Sequence, residues 1–84
     1  MPNRIVRAMF IRRKLQFMIL EYVKEKGKAT SREIYEVVRK TYDISYQQFL
    51  SILMQLEIEG FIEIHQVRDN SIVVLKTRQR MAIE

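Results

Sequence analysis

Residues 45–60 read SYQQFLSILMQLEIEG. Ser45 followed three residues later by Gln48 is the spacing of a capping box, which starts a helix. Phe49, Leu53 and Leu56 then recur at helical spacing, with Ile52 beside them, so one face of that helix is apolar. Gly60 ends it, because a helix C-terminus often turns through positive φ, which glycine adopts freely. Immediately after Gly60 the period changes from helical to extended. FIEIHQV, the pair DN and SIVVLKT read as two strands joined by a tight turn.

A capped amphipathic helix running through LEIEGFIEI into a hairpin resembles the third helix and wing of a winged helix-turn-helix domain. That resemblance implies a mostly helical α+β fold, three helices followed by a two-stranded β-hairpin wing. It implies one domain over residues 1–84: a first helix at 3–26, a second at 30–41, the recognition-type helix at 45–59, the wing at 61–77 and a tail at 78–84.

The bulk composition agrees with one small soluble domain. Eighty-four residues suit a single thin core, which makes help from a partner plausible. Two glycines and one proline, with 48% hydrophobic residues, exclude a low-complexity segment. The absence of cysteine excludes disulfides and thiolate metal sites and suits a cytoplasmic location. No run approaches 18 uncharged apolar residues, so no membrane span is expected. The first twenty residues are arginine-rich and acid-free, as a presequence would be, but their apolar spacing continues through Leu15–Tyr22, which assigns them to the first helix. Fifteen basic against ten acidic residues give a net charge of +5, which favours a polyanionic partner.

The first helix, ended by Gly27, carries two apolar seams on nearly opposite sides. One is Ala8, Ile11, Leu15, Met18 and Tyr22; the other is Val6, Phe10, Arg13, Phe17 and Leu20. A small domain covers one side of such a helix and rarely both. The second seam is therefore expected to meet another copy of the chain, making a homodimer. Lys28–Thr30 is an extended link and a candidate third strand. Thr30 and Glu33 form a second capping box, and Ile34, Val37 and Val38 are the core side of the helix that follows. In the hairpin, a two-residue turn at Asp69-Asn70 pairs Arg68 with Ser71, Gln66 with Val73, Ile64 with Leu75 and Glu63 with Lys76. Ile62, Ile64, Val73 and Leu75 then share the inner face.

Catalysis has little to work with. His65 is the only histidine and falls on the outer face of the wing. There is no phosphate-cradling glycine loop, no nucleophile elbow and no HExxH, and Glu57, Glu59 and Glu63 form no acid–base pair with a pocket. No enzyme, cofactor or metal is expected. The winged-helix resemblance instead implies double-stranded DNA as partner, a dimeric transcriptional regulator as function and a nucleoid-associated place. Its third helix would enter the major groove with Tyr46, Gln47, Gln48, Ser51 and Gln55 toward base edges, since glutamine pairs bidentately with adenine. Thr30, Ser31 and Arg32 at the start of the second helix, with Arg68 and Asn70 at the wing tip, would contact phosphate.

One departure from that pattern is plain. No lysine or arginine lies between Thr41 and Val67, whereas phosphate neutralisation dominates nonspecific DNA affinity. Positive charge sits on the first helix, around the first turn and in the tail. Leu50, Met54 and Ile58 also form an apolar line away from the Phe49–Leu53–Leu56 face. The alternative reading is therefore a winged-helix adaptor or subunit that binds a protein partner through the third and first helices, Met54 included.

Overall fold

A computed structural model describes residues 4–76, with side chains from Met9 onward. The elements are α1 (Arg4–Lys26), β1 (Lys28–Thr30), α2 (Ser31–Arg39), α3 (Tyr46–Ile58), β2 (Ile62–Val67) and β3 (Asn70–Leu75). The tail expected at 78–84 and the side chain of Val6 lie outside the described residues.

Each helix boundary has a local cause. α1 stops at Gly27, whose φ is 86°. α2 and α3 both start in complete capping boxes. Thr30 Oγ1 accepts from the Glu33 backbone N–H, and Glu33 reaches back to the Thr30 N–H. Ser45 Oγ accepts from the Gln48 N–H, and Gln48 Oε1 accepts from the Ser45 N–H at 2.9 Å. α3 ends in a Schellman motif. Gly60 turns at φ 86°, its N–H donates to Glu57 O, and the Phe61 N–H donates to Leu56 O, both at 3.0 Å.

The strands form one antiparallel sheet in the order β1-β3-β2. The wing is thus a hairpin whose second strand lies in the middle, with Lys28–Thr30 added as a third strand beside it. Ala29 pairs with Val73, which pairs in turn with Ile64. The core is contiguous. It joins Leu15, Ile19 and Val23 of α1, Ile34 and Val38 of α2, Phe49, Ile52, Leu53 and Leu56 of α3, and Ala29, Ile62 and Val73 of the sheet.

Val37, expected on the core side of α2 with Ile34 and Val38, is only partly buried and lies outside the core. Other details also differ from the sequence-based expectation. The buried row of α1 is Leu15–Ile19–Val23, at spacings of four, not Ile11–Leu15–Met18–Tyr22; Ile11 is exposed, while Met18 and Tyr22 only flank the core. The hairpin turns at Arg68-Asp69, not Asp69-Asn70: Val67 pairs with Asn70, Gln66 with Ser71, Ile64 with Val73 and Glu63 with Val74. The expected Glu63–Lys76 pair is absent from this register. The inner face is unchanged, because every partner moved by two residues and side chains alternate with period two. Ile62 and Val73 are buried on that face, with Ile64 half-buried beside them, whereas Leu75 at the end of β3, expected on the same face, is exposed.

Candidate nucleic-acid interface

The α2–α3 junction is held by aromatic rings. Tyr35 lies edge-on to Tyr46 with centroids 5.1 Å apart and tilts against Phe49 at 5.3 Å. Its hydroxyl donates to Ile44 O at 2.9 Å. Ser31, although only 4% exposed, has its Oγ 3.2 Å from the Tyr46 hydroxyl. This contact fixes the start of α2 against the start of α3. It also consumes two of the polar groups that the sequence offers to a ligand.

The start of α2, the α3 flank and the wing border one cleft. It is lined by Ser31, Tyr46, Leu50, Met54, Glu57, Ile64, Gln66 and Ser71, with Leu53 beneath, and its volume is about 360 Å³. Its only charged lining residue is Glu57, whose Oε2 accepts from the Ile64 N–H. Gln66 Nε2 donates to Ser71 Oγ at 2.7 Å across the strands.

The sequence-derived candidates divide on this geometry. Gln47 and Ser51 are exposed on the side of α3 opposite Phe49. Gln48 is exposed, but its Oε1 is engaged in the cap. Gln55 turns toward α1 and donates from Nε2 to Glu59 Oε2 at 2.8 Å. Thr30 is the cap of α2, and Ser31 and Tyr46 hold each other. Arg32 is exposed in the first turn of α2, and Arg68 and Asn70 are exposed at the hairpin tip. On α1, Phe10 is 61% exposed and Phe17 65%, with Arg13 exposed between them and Leu20 partly buried against the core.

The outer line of α3 continues from Gln47 and Ser51 into Met54 and Ile58, which are 57% and 79% exposed. Phe61, half exposed just past the helix, was not among the residues singled out from the sequence; its place after the Gly60 stop was the available signal. His65 is exposed, with Nε2 3.1 Å from Glu63 Oε1. Among the described residues no cluster of three or more potential metal ligands occurs, and no helix is long and apolar enough to cross a membrane.

Three helices, a short strand after the first, and a hairpin directly after the third make this a winged helix-turn-helix fold. Solved structures with the same arrangement include a HOP2 structure, described by its DNA recognition and protein interaction domains and its homologous DNA pairing properties. It is 19% identical, with a TM-score of 0.64, over 74% of this chain and 98% of that one. An ArsR family transcriptional regulator is 22% identical, with a TM-score of 0.56, over 69% of this chain and 55% of that one. The chain therefore matches about half the length of that regulator. No protein-family profile and no curated protein sequence matches the chain.

Proposed function

We propose that the chain binds double-stranded DNA as a dimeric transcriptional regulator, its third helix entering the major groove. The observation that carries this reading is the open line of Gln47 and Ser51 on α3, exposed opposite Phe49, beside the cleft bordered by the start of α2 and the wing but not lining it. Arg32 is exposed next to Ser31, which lines that cleft, and Arg68 is exposed at the hairpin tip, while no lysine or arginine lies on α3. The net charge of +5 and the described functions of the two similar structures support the same reading. A cytoplasmic, nucleoid-associated place follows from it.

A fluorescence-anisotropy titration of random-sequence duplex tests the proposal. Binding is expected at about 50 mM salt and is expected to weaken by orders of magnitude by about 200 mM. Absence of binding at the lower salt would remove it.

The second reading, a protein-binding adaptor, is favoured by Met54 and Ile58, which stand in water on the same outer line. On that reading duplex DNA does not bind at about 50 mM salt, and Met54→Asp abolishes a stoichiometric complex with a protein partner.

A further inference from the structure

Gln47, Ser51, Met54 and Ile58 are all exposed, and they form one stripe along α3. At about 100° per residue they fall within about 60° of one another, on the side opposite the buried Phe49, Ile52, Leu53 and Leu56. The stripe changes character along the helix: its first half is polar and its second half apolar. Among the described residues Gln47 and Ser51 make no side-chain hydrogen bond, so both ends of the Gln47 amide are open. Gln48 and Gln55, by contrast, are engaged with Ser45 and Glu59.

The stripe lacks the groups that read a G·C pair. Arginine and lysine are the usual readers of guanine O6 and N7, and α3 has neither. Carboxylates accept from the cytosine N4 amino group. Those at this end of the helix stand off the stripe: Glu57 accepts from the Ile64 N–H of the wing, and Glu59 accepts from Gln55. What remains matches an A·T pair. An open amide donates to adenine N7 and accepts from adenine N6, and an apolar side chain packs on the C5 methyl group that thymine presents in the major groove. Ser51 can reach either pair and makes no choice.

We propose that α3 selects A·T pairs, with Gln47 reading adenine and Met54 packing on a thymine methyl group. The inference rests on the DNA-binding function proposed above and names its target class. A helix in the major groove reaches base edges with its N-terminal residues. Met54 lies about 10 Å from Gln47 along the axis, about three base-pair steps, so the two read separate pairs. Ile58, about 6 Å further on, lies past the bases and takes no part in the choice. The unbranched, polarizable thioether of Met54 adapts to a methyl group whose position varies with sequence. The absence of a cation on α3 is then what keeps guanine from competing, and phosphate is left to the exposed cations elsewhere.

The test compares duplexes of equal length by fluorescence anisotropy at about 50 mM salt: alternating A·T, alternating G·C, and alternating A·T with deoxyuridine in place of thymidine. Deoxyuridine removes only the C5 methyl group and keeps every hydrogen-bonding group of the pair. The A·T duplex is expected to bind about 10-fold more tightly than the G·C duplex. Deoxyuridine is expected to weaken binding by about 4-fold for each copy bound. Met54→Ala is expected to bring the thymidine and deoxyuridine duplexes to within about 1.5-fold of each other, and Ile58→Ala to leave their difference as in wild type. Both residues lie outside the core, so both variants should keep the helical circular dichroism. Gln47→Ala is expected to lower the preference for A·T over G·C without changing the ratio of thymidine to deoxyuridine duplex. A preference for G·C, or equal binding to all the duplexes, overturns the inference and leaves the DNA-binding reading standing. A methyl effect that survives Met54→Ala, or that disappears in Ile58→Ala, overturns the assignment to Met54. Binding to none of the duplexes removes the DNA-binding reading and this inference with it.

Discussion

Gln48 shows how one side chain answers two different readings. By type and position it is a candidate to read adenine, and by spacing it is the partner of Ser45 in a capping box. The cap uses its Oε1, which accepts from the Ser45 N–H. Bidentate pairing with adenine needs both ends of the amide, so the two roles compete. Gln55 is engaged in a similar way through its Nε2. On the DNA-binding proposal, Gln47→Ala is therefore expected to relax sequence preference in a competition assay. Gln48→Ala is expected to leave preference intact and to destabilise the fold by a few tenths to about 1 kcal/mol, read from urea unfolding. Equal losses of preference in both variants would show that the cap opens on binding. Glu33 likewise serves twice. One carboxylate oxygen completes the cap of α2, and the other accepts the Tyr22 hydroxyl of α1 at 2.7 Å. That hydrogen bond, with smaller contributions from desolvation and the Glu33 charge, raises the Tyr22 pKa above the usual phenol value. A raised pKa means that folding favours the protonated phenol. Its contribution is complete below the tyrosine range of the unfolded chain and is lost as pH rises through the folded value. Glu33→Gln is expected to lower the Tyr22 titration while retaining the cap. The measurement is the phenolate absorbance titration, with Tyr22→Phe as the subtracted reference.

α3 was legible almost completely, because a capping box, an apolar face and a glycine stop all agree over residues 45–60. α1 was not. Its apolar residues occur all round, so a heptad-like seam through Ile11, Leu15, Met18 and Tyr22 and a row at spacings of four fit the sequence equally well. The choice is made by how α1 crosses the other helices, since rows at spacings of four are the ridges that interdigitate in globular packing. That crossing depends on contacts distant in sequence, and it buries Ile19 and Val23. The hairpin register was underdetermined for a related reason. Asp69-Asn70 and Arg68-Asp69 are both two-residue turns that keep the same inner face. The observed register puts Ile64 opposite Val73 and Ala29 beside them, which closes the core under the wing. It leaves Arg68 at φ 60°, and it is the only non-glycine residue with positive φ among those described. An L-residue there is strained by about 1–2 kcal/mol, partly offset by the greater freedom of glycine in the unfolded chain. Arg68→Gly is accordingly expected to stabilise the fold by about 0.5–1 kcal/mol, seen as a raised urea midpoint. A lowered midpoint would mean that the arginine side chain contributes more to the wing than its exposed position suggests.

Charge and apolar surface are distributed unevenly over the molecule, and this is what separates the two functional readings. α3 presents Gln47, Ser51, Met54 and Ile58 outward with no cation, whereas exposed cations stand on α1, at Lys28 of β1, at both ends of α2, at the hairpin tip and at Lys76. The sequence indicated the missing cations on α3, but not that Ser31 and Tyr46 would be spent on each other, because that contact joins residues on different helices. If duplex DNA is bound, the electrostatic part of the affinity must come from the flanks, and α3 contributes only the choice of sequence. The salt dependence of binding isolates the first part, since each phosphate neutralised adds about 0.9 to the slope of log K against log salt. Arg32→Ala and Arg68→Ala are each expected to reduce that slope by about 1 for every copy on the duplex, hence by about 2 for a dimer that engages both wings. Gln47→Ala removes no charge and should leave the slope unchanged while altering preference among sequences. Slopes unmoved in both arginine variants would detach the start of α2 and the wing tip from the duplex, leaving the other exposed cations to carry it. A slope lowered by about 1 instead of 2 would place only one copy of a dimer on the DNA at a time.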